Sequence, residues 1–146
     1  MNARSNRPSP TFEILSTMVA RKTIDQLLAQ ARAGLVRVGP HEARDAISGG
    51  ALLIDVRSES QRAVDGIVPD AIWFARNVLE WRCDPSCEAH DDRVGGLERH
   101  VIVMCDAGYQ SSLAAATLQQ LGFASATDLV GGFQAWRAAG LPVAPA

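Results

Sequence analysis

Residues 101–123, VIVMCDAGYQSSLAAATLQQLGF, decide the fold class of this chain. The stretch opens with four consecutive apolar residues, which is typical of a short strand covered on both faces of a sheet. A polar bend follows, and an alanine-rich segment with helical character comes after it. The pattern predicts a strand that leads directly into a helix, with a cysteine, Cys105, at the junction.

The remainder of the chain alternates between helical and strand-like segments. Thr23 and Gly34 are suited to begin and end a first helix, and Pro40 is suited to the first turn of a second. Strands that alternate with helices of this length pair in parallel. The sequence therefore predicts an α/β fold, with a mostly parallel sheet of about five strands flanked by helices on both faces. The predicted helices lie within 23–35, 39–50, 111–123 and 133–143, and the predicted strands within 51–57, 71–75, 100–105 and 126–132.

Length and composition indicate one globular domain. The chain has 146 residues, of which 47% are hydrophobic and 21% charged, and a chain of this size can bury a substantial core. Residues 1–18 mix polar residues and prolines with little periodicity, so they predict a flexible tail. The domain is then expected within 19–146, with a helix at its start.

Charge and hydropathy exclude two classes of partner. The formal net charge of −2 lacks the basic excess typical of nucleic-acid binding. The apolar runs are far shorter than the roughly 20 residues of a membrane-spanning helix. The polar N-terminus lacks the apolar core of a secretory signal, so we expect a cytoplasmic protein with reduced thiols. No feature indicates an oligomeric state.

Cys105 stands where open parallel sheets bind their ligands, beyond the carboxyl end of a strand. The bend after it leads to a helix that begins near Ser111 or Ser112, where unpaired amides and the helix dipole favour an anion. A thiolate is the reactive form of cysteine, and Gly108 permits a tight curl of the backbone. Cys105 is therefore a candidate nucleophile. The alternative is a buried core cysteine that only ends a strand.

Three parts of the sequence resemble the rhodanese-type (sulfurtransferase) domain family. They are LIDVRSESQRAVDGIVPDA at 53–71, the strand and loop that contain CDAGYQS, and LVGGFQAWRAAGLPV at 129–143. The resemblance covers about residues 39–143 and rests on the order and spacing of these parts. It implies a rhodanese-like three-layer fold.

The resemblance also implies a reaction. Cys105 would attack the outer sulfur of a donor, hold it as a persulfide and yield it to a thiophilic acceptor. The expected partners are a small-molecule or protein persulfide donor and a thiol acceptor, and no metal or organic cofactor is required. Asp55 and Arg57 are expected to be a structural pair that braces neighbouring loops. The backbone amides of the expected anion cradle belong to Asp106, Ala107, Gly108, Tyr109, Gln110 and Ser111.

The loop departs from the family pattern in its charge. Gln110 stands where the family commonly has an arginine, Asp106 follows the cysteine, and no basic residue lies between Cys105 and Trp136. A carboxylate repels a dianionic donor, so we expect weak activity with thiosulfate and better transfer from a neutral or protein-bound persulfide. Arginines outside the loop are candidates to supply the charge, namely Arg76 and Arg82.

A second group of cysteines lies in residues 82–96, a polar, turn-rich segment that predicts a long surface loop. Cys83, Cys87 and His90 supply three ligands where a structural zinc normally has four, so no metal is expected. A reversible disulfide and two exposed thiols remain as alternatives.

Three other functions are compared with sulfur transfer. Phosphatases with a nucleophilic cysteine need an arginine six residues after it to bind phosphoryl oxygens, and Ser111 stands there. A P-loop is excluded because no GxxxxGK[ST] is present. The remaining alternative is a weakly active or inactive module of the same fold that binds proteins or senses sulfur.

Overall fold

The computed structural model describes residues 20–146, so the predicted tail, residues 1–18, lies outside the described residues. The chain is α/β, as predicted. Two 3₁₀ turns, Arg76–Val78 and Asp92–Val94, accompany the longer elements. The strands are β1 Leu52–Asp55, β2 Ile72–Trp73, β3 Val101–Met104 and β4 Thr127–Asp128. The helices are α1 Ile24–Ala33, α2 Pro40–Ser48, α3 Glu59–Asp65, α4 Leu79–Cys83, α5 Gln110–Gln120 and α6 Gly132–Ala138.

The sheet is parallel throughout, with strand order β2-β1-β3-β4. In the centre Asp55 of β1 is in register with Met104 of β3. Beyond β4, Val38 forms a parallel bridge with Leu129 and extends the sheet by one short segment. All residues of β1 and β3 are buried, which explains why both read as continuous apolar runs. The predicted fold class is confirmed.

Two hydrophobic clusters lie on opposite faces of the sheet, and β3 contributes to both. Val101 and Val103 join one cluster, whereas Ile102 and Met104 join the other, because side chains alternate along a strand. Cys105 continues this alternation and belongs to the first cluster, with the buried side chains of α5. The cysteine therefore sits between the end of a central strand and the helix that follows it.

The first helix begins where the sequence predicts. Thr23 Oγ1 accepts a hydrogen bond from Gln26 N at 3.1 Å, and the Gln26 side chain accepts one from Thr23 N at 2.8 Å. This reciprocal capping box satisfies amides that a helix start leaves unpaired. Gly34 caps the other end. Pro40 is in the first turn of α2, and Gly49 caps its end, so these boundaries are also confirmed.

The prediction for residues 82–96 was partly wrong. The segment starts in α4, and Cys83 and Val94 are each only 1% exposed, because their apolar side chains enter the core beneath a polar surface. Burial raises the pKa of the Cys83 thiol to about 12, and the nearby carboxylates of Glu80 and Asp91 act in the same direction. Cys83 is therefore not an exposed thiol.

The rest of that segment is held by local hydrogen bonds. His90 Nδ1 lies 2.6 Å from Cys87 O, and its Nε2 lies 2.9 Å from Asp92 Oδ1; both contacts raise the pKa of His90. Cys87 is half-buried and, like the other two cysteines, is a free thiol. Residues 20–146 contain no cluster of three His, Cys, Asp or Glu side chains placed to hold a metal ion. None of the helices described combines the length and apolar character needed to cross a membrane.

Candidate active site

The sulfur of Cys105 lies at the carboxyl end of β3 and is nearly enclosed. Cys105 is 4% exposed, and its Sγ accepts a hydrogen bond from Gly108 N at 3.2 Å. The chain returns to the sulfur within three residues because Gly108 adopts a φ of +86°, a conformation that other residues rarely adopt. The bend is therefore a tight curl around the sulfur.

The start of α6 holds the first two carbonyl groups of this curl. Phe133 N donates to Cys105 O at 2.9 Å, and Gln134 N donates to Asp106 O at 3.1 Å. The approach is close because Gly132 has no side chain. A Cβ at Gly132 would lie 2.5 Å from Cys105 O and 2.7 Å from the Asp106 carbonyl carbon.

A third carbonyl group, that of Gly108, is held by two arginines from outside the loop. Arg32 Nη2 and Arg37 Nη2 each donate to Gly108 O at 2.9 Å. Arg32 comes from the last turn of α1 and Arg37 from the extended segment that reaches β4. Charge-assisted hydrogen bonds of this kind are stronger than neutral ones, so the two arginines hold the loop at the Gly108 carbonyl.

These three carbonyl contacts determine the direction of the following amides. A planar trans peptide group points its C=O and N–H in opposite directions, so the N–H groups of Asp106, Ala107 and Tyr109 point away from α6 and the two arginines. Within residues 20–146 none of these three amides has a hydrogen-bond acceptor, and neither have those of Gln110 and Ser111. The loop thus presents a set of unpaired donors.

A buried carboxylate organises the other side of the loop. Asp128, at the end of β4, is completely buried and accepts hydrogen bonds from Ser111 Oγ at 2.7 Å and Ser112 Oγ at 2.8 Å. Arg37 Nε forms an ion pair with it at 2.8 Å. Arg32 Nε donates to Ser112 Oγ at 3.0 Å, so the first turn of α5 and both arginines form one network.

Asp55 and Arg57 form a second buried pair at the end of β1. Arg57 Nη2 lies 2.9 Å from Asp55 Oδ2, and Arg57 Nε lies 3.1 Å from Asp55 Oδ1. Both residues are 1% exposed. Arg57 also donates to Gly66 O at 2.8 Å and lies 3.7 Å from the centre of the Phe133 ring. The pair therefore connects two loops to the residue that bonds Cys105 O.

The Asp106 carboxylate has its own partner. Asp106 Oδ1 accepts from Gln134 Nε2 at 2.9 Å, and the same nitrogen donates to Asp65 Oδ2 at 3.1 Å. Arg137 Nη1 in turn contacts Asp65 Oδ1 at 3.3 Å. Tyr109 and Gln110 of the same loop are exposed, so the side chains that the loop itself presents are a carboxylate and neutral groups.

Within residues 20–146, no hydrogen bond or ion pair joins Arg76 or Arg82 to the Cys105 loop. Arg76 Nη1 pairs with Glu80 Oε1 at 2.5 Å. Arg82 donates to Ala89 O at 2.5 Å and to Asp91 Oδ2 at 3.2 Å. Each guanidinium keeps further N–H groups beyond these contacts, so a role of Arg76 or Arg82 in binding a donor stays a prediction.

Three residues that the sequence prediction missed contact the loop: Arg32, Arg37 and Asp128. One sequence signal for Asp128 existed, because it is a charged residue inside a predicted apolar strand, where a buried charge needs a partner. The two arginines gave no comparable signal. They lie about 70 to 90 residues before their contacts, and a sequence pattern does not show such a long-range approach.

Comparison with known proteins agrees with this geometry. A model of the rhodanese-like domain matches residues 39–139, so the chain belongs to the rhodanese-like domain family. A sulfurtransferase of Allochromatium vinosum is 30% identical over 92 residues, which cover 63% of this chain and 77% of that protein. The thiosulfate sulfurtransferase GlpE of Pseudomonas syringae pv. syringae is 31% identical over 101 residues, which cover 69% of this chain and 86% of that protein. At the level of the family the chain is thus a rhodanese-type protein with sulfurtransferase relatives.

Two solved structures share the fold. A protein of unknown function from Rhodopseudomonas palustris CGA009, described as "Possible Tyrosine Phosphatase", matches with a TM-score of 0.78 at 25% identity. The match covers 86% of this chain and 97% of that one. The thiosulfate sulfurtransferase of Pseudomonas aeruginosa matches with a TM-score of 0.58 at 26% identity, over 74% of this chain and 19% of that one.

Proposed function

We propose that this chain is a sulfurtransferase that carries a sulfane sulfur as a persulfide on Cys105. The observation that carries the proposal is the hydrogen bond from Gly108 N to Cys105 Sγ in a loop whose neighbouring amides have no acceptor within the described residues. Unpaired amides fixed before the reaction stabilise an anion without reorganisation. The amides of residues 106–111 are the proposed cradle, with Asp55 and Arg57 as its support.

The proposed reaction has two balanced steps. The Cys105 thiolate attacks the outer sulfur of a persulfide donor, RS–SH, so that an S–S bond to Cys105 forms and the RS–S bond breaks. The products are Cys105–S–SH and the thiolate RS⁻. An acceptor thiolate then attacks the outer sulfur of Cys105–S–SH, which forms the acceptor persulfide and restores the Cys105 thiolate.

The site fits sulfur transfer better than phosphoryl transfer. A cysteine phosphatase needs an arginine fork on the phosphoryl oxygens, and the residue at the corresponding position, Ser111, is buried and donates to Asp128. We place the activity in the cytoplasm, since free Cys83, Cys87 and Cys105 thiols suit a reducing compartment.

Mass spectrometry tests the proposal directly. The full chain is incubated with glutathione persulfide or with thiosulfate, and its cysteine-containing peptides are mapped. The expected result is a gain of one sulfur atom on the Cys105 peptide that a thiol acceptor removes, while buried Cys83 and half-buried Cys87 serve as internal controls. A chain that gains no sulfur on Cys105 from either donor is instead the non-catalytic binding or sensing module.

The same proposal predicts a donor preference. Thiosulfate is a dianion, and the loop surface offers it the Asp106 carboxylate and no basic side chain, so we expect weak thiosulfate activity. Gln110→Arg should raise kcat/KM for thiosulfate about 3- to 5-fold, which is the upper range of the effect of one exposed charge pair. Sulfite release measures this rate.

The matched control for this variant is Gln120→Arg, which adds the same charge at the other end of α5, where Gln120 is exposed. We expect it to leave thiosulfate turnover within about twofold of the original value, since exposed charges beyond a Debye length are screened. Rapid thiosulfate turnover by the unaltered chain, unchanged by Gln110→Arg, would contradict the expected donor preference.

A further inference from the structure

Two of the charges that touch the Cys105 loop come from a segment before the matched family region. Residues 24–38 comprise α1 and the extended stretch that ends at Val38, whereas the family match starts at residue 39. The segment is fastened to the domain at several points. Thr127 Oγ1 donates to Val36 O at 2.8 Å, Gln119 Nε2 donates to Gly34 O at 3.0 Å, and Val130 N donates to Val38 O at 2.8 Å. These bonds fix where its side chains meet the loop.

The two arginines of this segment differ in their electrostatic surroundings. Arg37 is neutralised, because its Nε and Nη2 bond both carboxylate oxygens of buried Asp128 at 2.8 and 3.1 Å. Arg32 forms no ion pair within residues 20–146. Its partners are neutral: Gly108 O, Ser112 Oγ and the face of the Tyr109 ring, whose centre is 5.6 Å away. Within the part of the chain that the structure describes, one positive charge beside the loop thus has no counter-charge bonded to it.

We propose that Arg32 is a positioning residue that supplies the Cys105 loop with the positive charge absent from the loop itself. Its guanidinium polarises the Gly108 carbonyl, and the N–H of Tyr109 lies at the opposite end of the same peptide group. The charge therefore favours an anionic sulfur on Cys105 while leaving the loop surface free of basic side chains. The role of Arg32 during sulfur transfer rests on the proposed function of Cys105, but its effect on the bare thiolate does not.

Alkylation of Cys105 tests this charge separately from sulfur transfer. The rate constant for modification of the full chain by iodoacetamide, a neutral reagent, is measured at one fixed pH by peptide mapping. We expect Arg32→Gln to lower the Cys105 rate about fivefold or more, because a nearby opposite charge favours the ionised form. Arg32→Lys keeps the charge and should stay within about twofold of the original rate.

The conservative variant separates a charge effect from a merely structural one. Neither glutamine nor lysine reproduces the planar fork that bonds Gly108 O and Ser112 Oγ together. If Arg32 only holds the loop, both variants slow the reaction alike, and that result overturns the proposal. Equal rates in all three proteins overturn it as well.

Two controls complete the experiment. Arg44→Gln removes the same charge from the exposed face of α2 and should leave the Cys105 rate unchanged within about twofold, since distant exposed charges are screened. Cys83, which is 1% exposed, reports unfolding in the same sample, since it is alkylated only when the core opens. Sulfur uptake is measured in parallel. If no variant takes up sulfur but the alkylation rates follow the expected order, the proposed function fails and the role of Arg32 stands.

Discussion

Gly132→Ala is expected to lower the rate of sulfur uptake by Cys105 about 100-fold. The new Cβ would lie 2.5 Å from Cys105 O and 2.7 Å from the Asp106 carbonyl carbon, and both are backbone atoms that cannot rotate away. The loop or α6 must therefore shift by about 1 Å, a displacement that costs catalytic groups about two orders of magnitude. The rate of persulfide formation on Cys105 measures the effect, and the iodoacetamide rate should fall with it.

A matched variant isolates the loop displacement from backbone strain. Gly140, at the other end of α6, has a φ of +74°, and a Cβ there meets nothing within 4 Å. Gly140→Ala carries the left-handed strain of about 1–2 kcal/mol without touching the loop, so its sulfur uptake should stay within about twofold of the original. Equal activities of the two variants would show that the approach of α6 does not set the loop geometry.

Much of the fold could be predicted because local patterns determine it. The continuous apolar runs of β1 and β3 identify strands buried on both faces, and Thr23, a residue type suited to the N-cap position, identifies the start of α1. The segment 82–96 was harder to predict, since two of its apolar side chains enter the core although most of its residues are polar. A composition average over the segment gives more weight to the many polar residues than to Cys83 and Val94.

The candidate site likewise contains some residues that a local sequence pattern predicts and others that only tertiary packing brings to the loop. Cys105, Gly108 and the loop between them are local in sequence, so their arrangement could be predicted from the strand–bend–helix pattern. Arg32 reaches this loop only through α1 and the segment beside β4, a path set by tertiary packing. The sequence made Arg76 and Arg82 the candidates for a charge from outside the loop, whereas the arginines that hydrogen-bond the loop in the structure are Arg32 and Arg37, on its N-terminal side.

Asp55→Ala is expected to destabilise the chain by about 3–5 kcal/mol, because it leaves the Arg57 guanidinium buried without its counter-charge. Asp55 accepts hydrogen bonds from Arg57 N, Nε and Nη2 and from Arg62 Nε. Without Asp55, Arg57 Nη2 keeps Gly66 O, but the other three donors lose their acceptor. In the unaltered chain the Arg57 guanidinium also packs on Phe133, whose amide donates to Cys105 O. Movement of Arg57 in the variant should therefore also weaken the contact that holds the Cys105 loop. Urea denaturation measures the free energy of unfolding.

Two further variants show whether the unpaired charge causes this loss. Asp45→Ala removes an exposed carboxylate from α2 and should change the free energy of unfolding by at most about 0.5 kcal/mol. Asp55→Ala combined with Arg57→Met removes both charges, and because an apolar side chain tolerates burial, the double variant should be more stable than Asp55→Ala alone. A double variant that is less stable than Asp55→Ala would mean that Arg57 stabilises the loops through Gly66 O and Phe133 rather than through its pairing with Asp55.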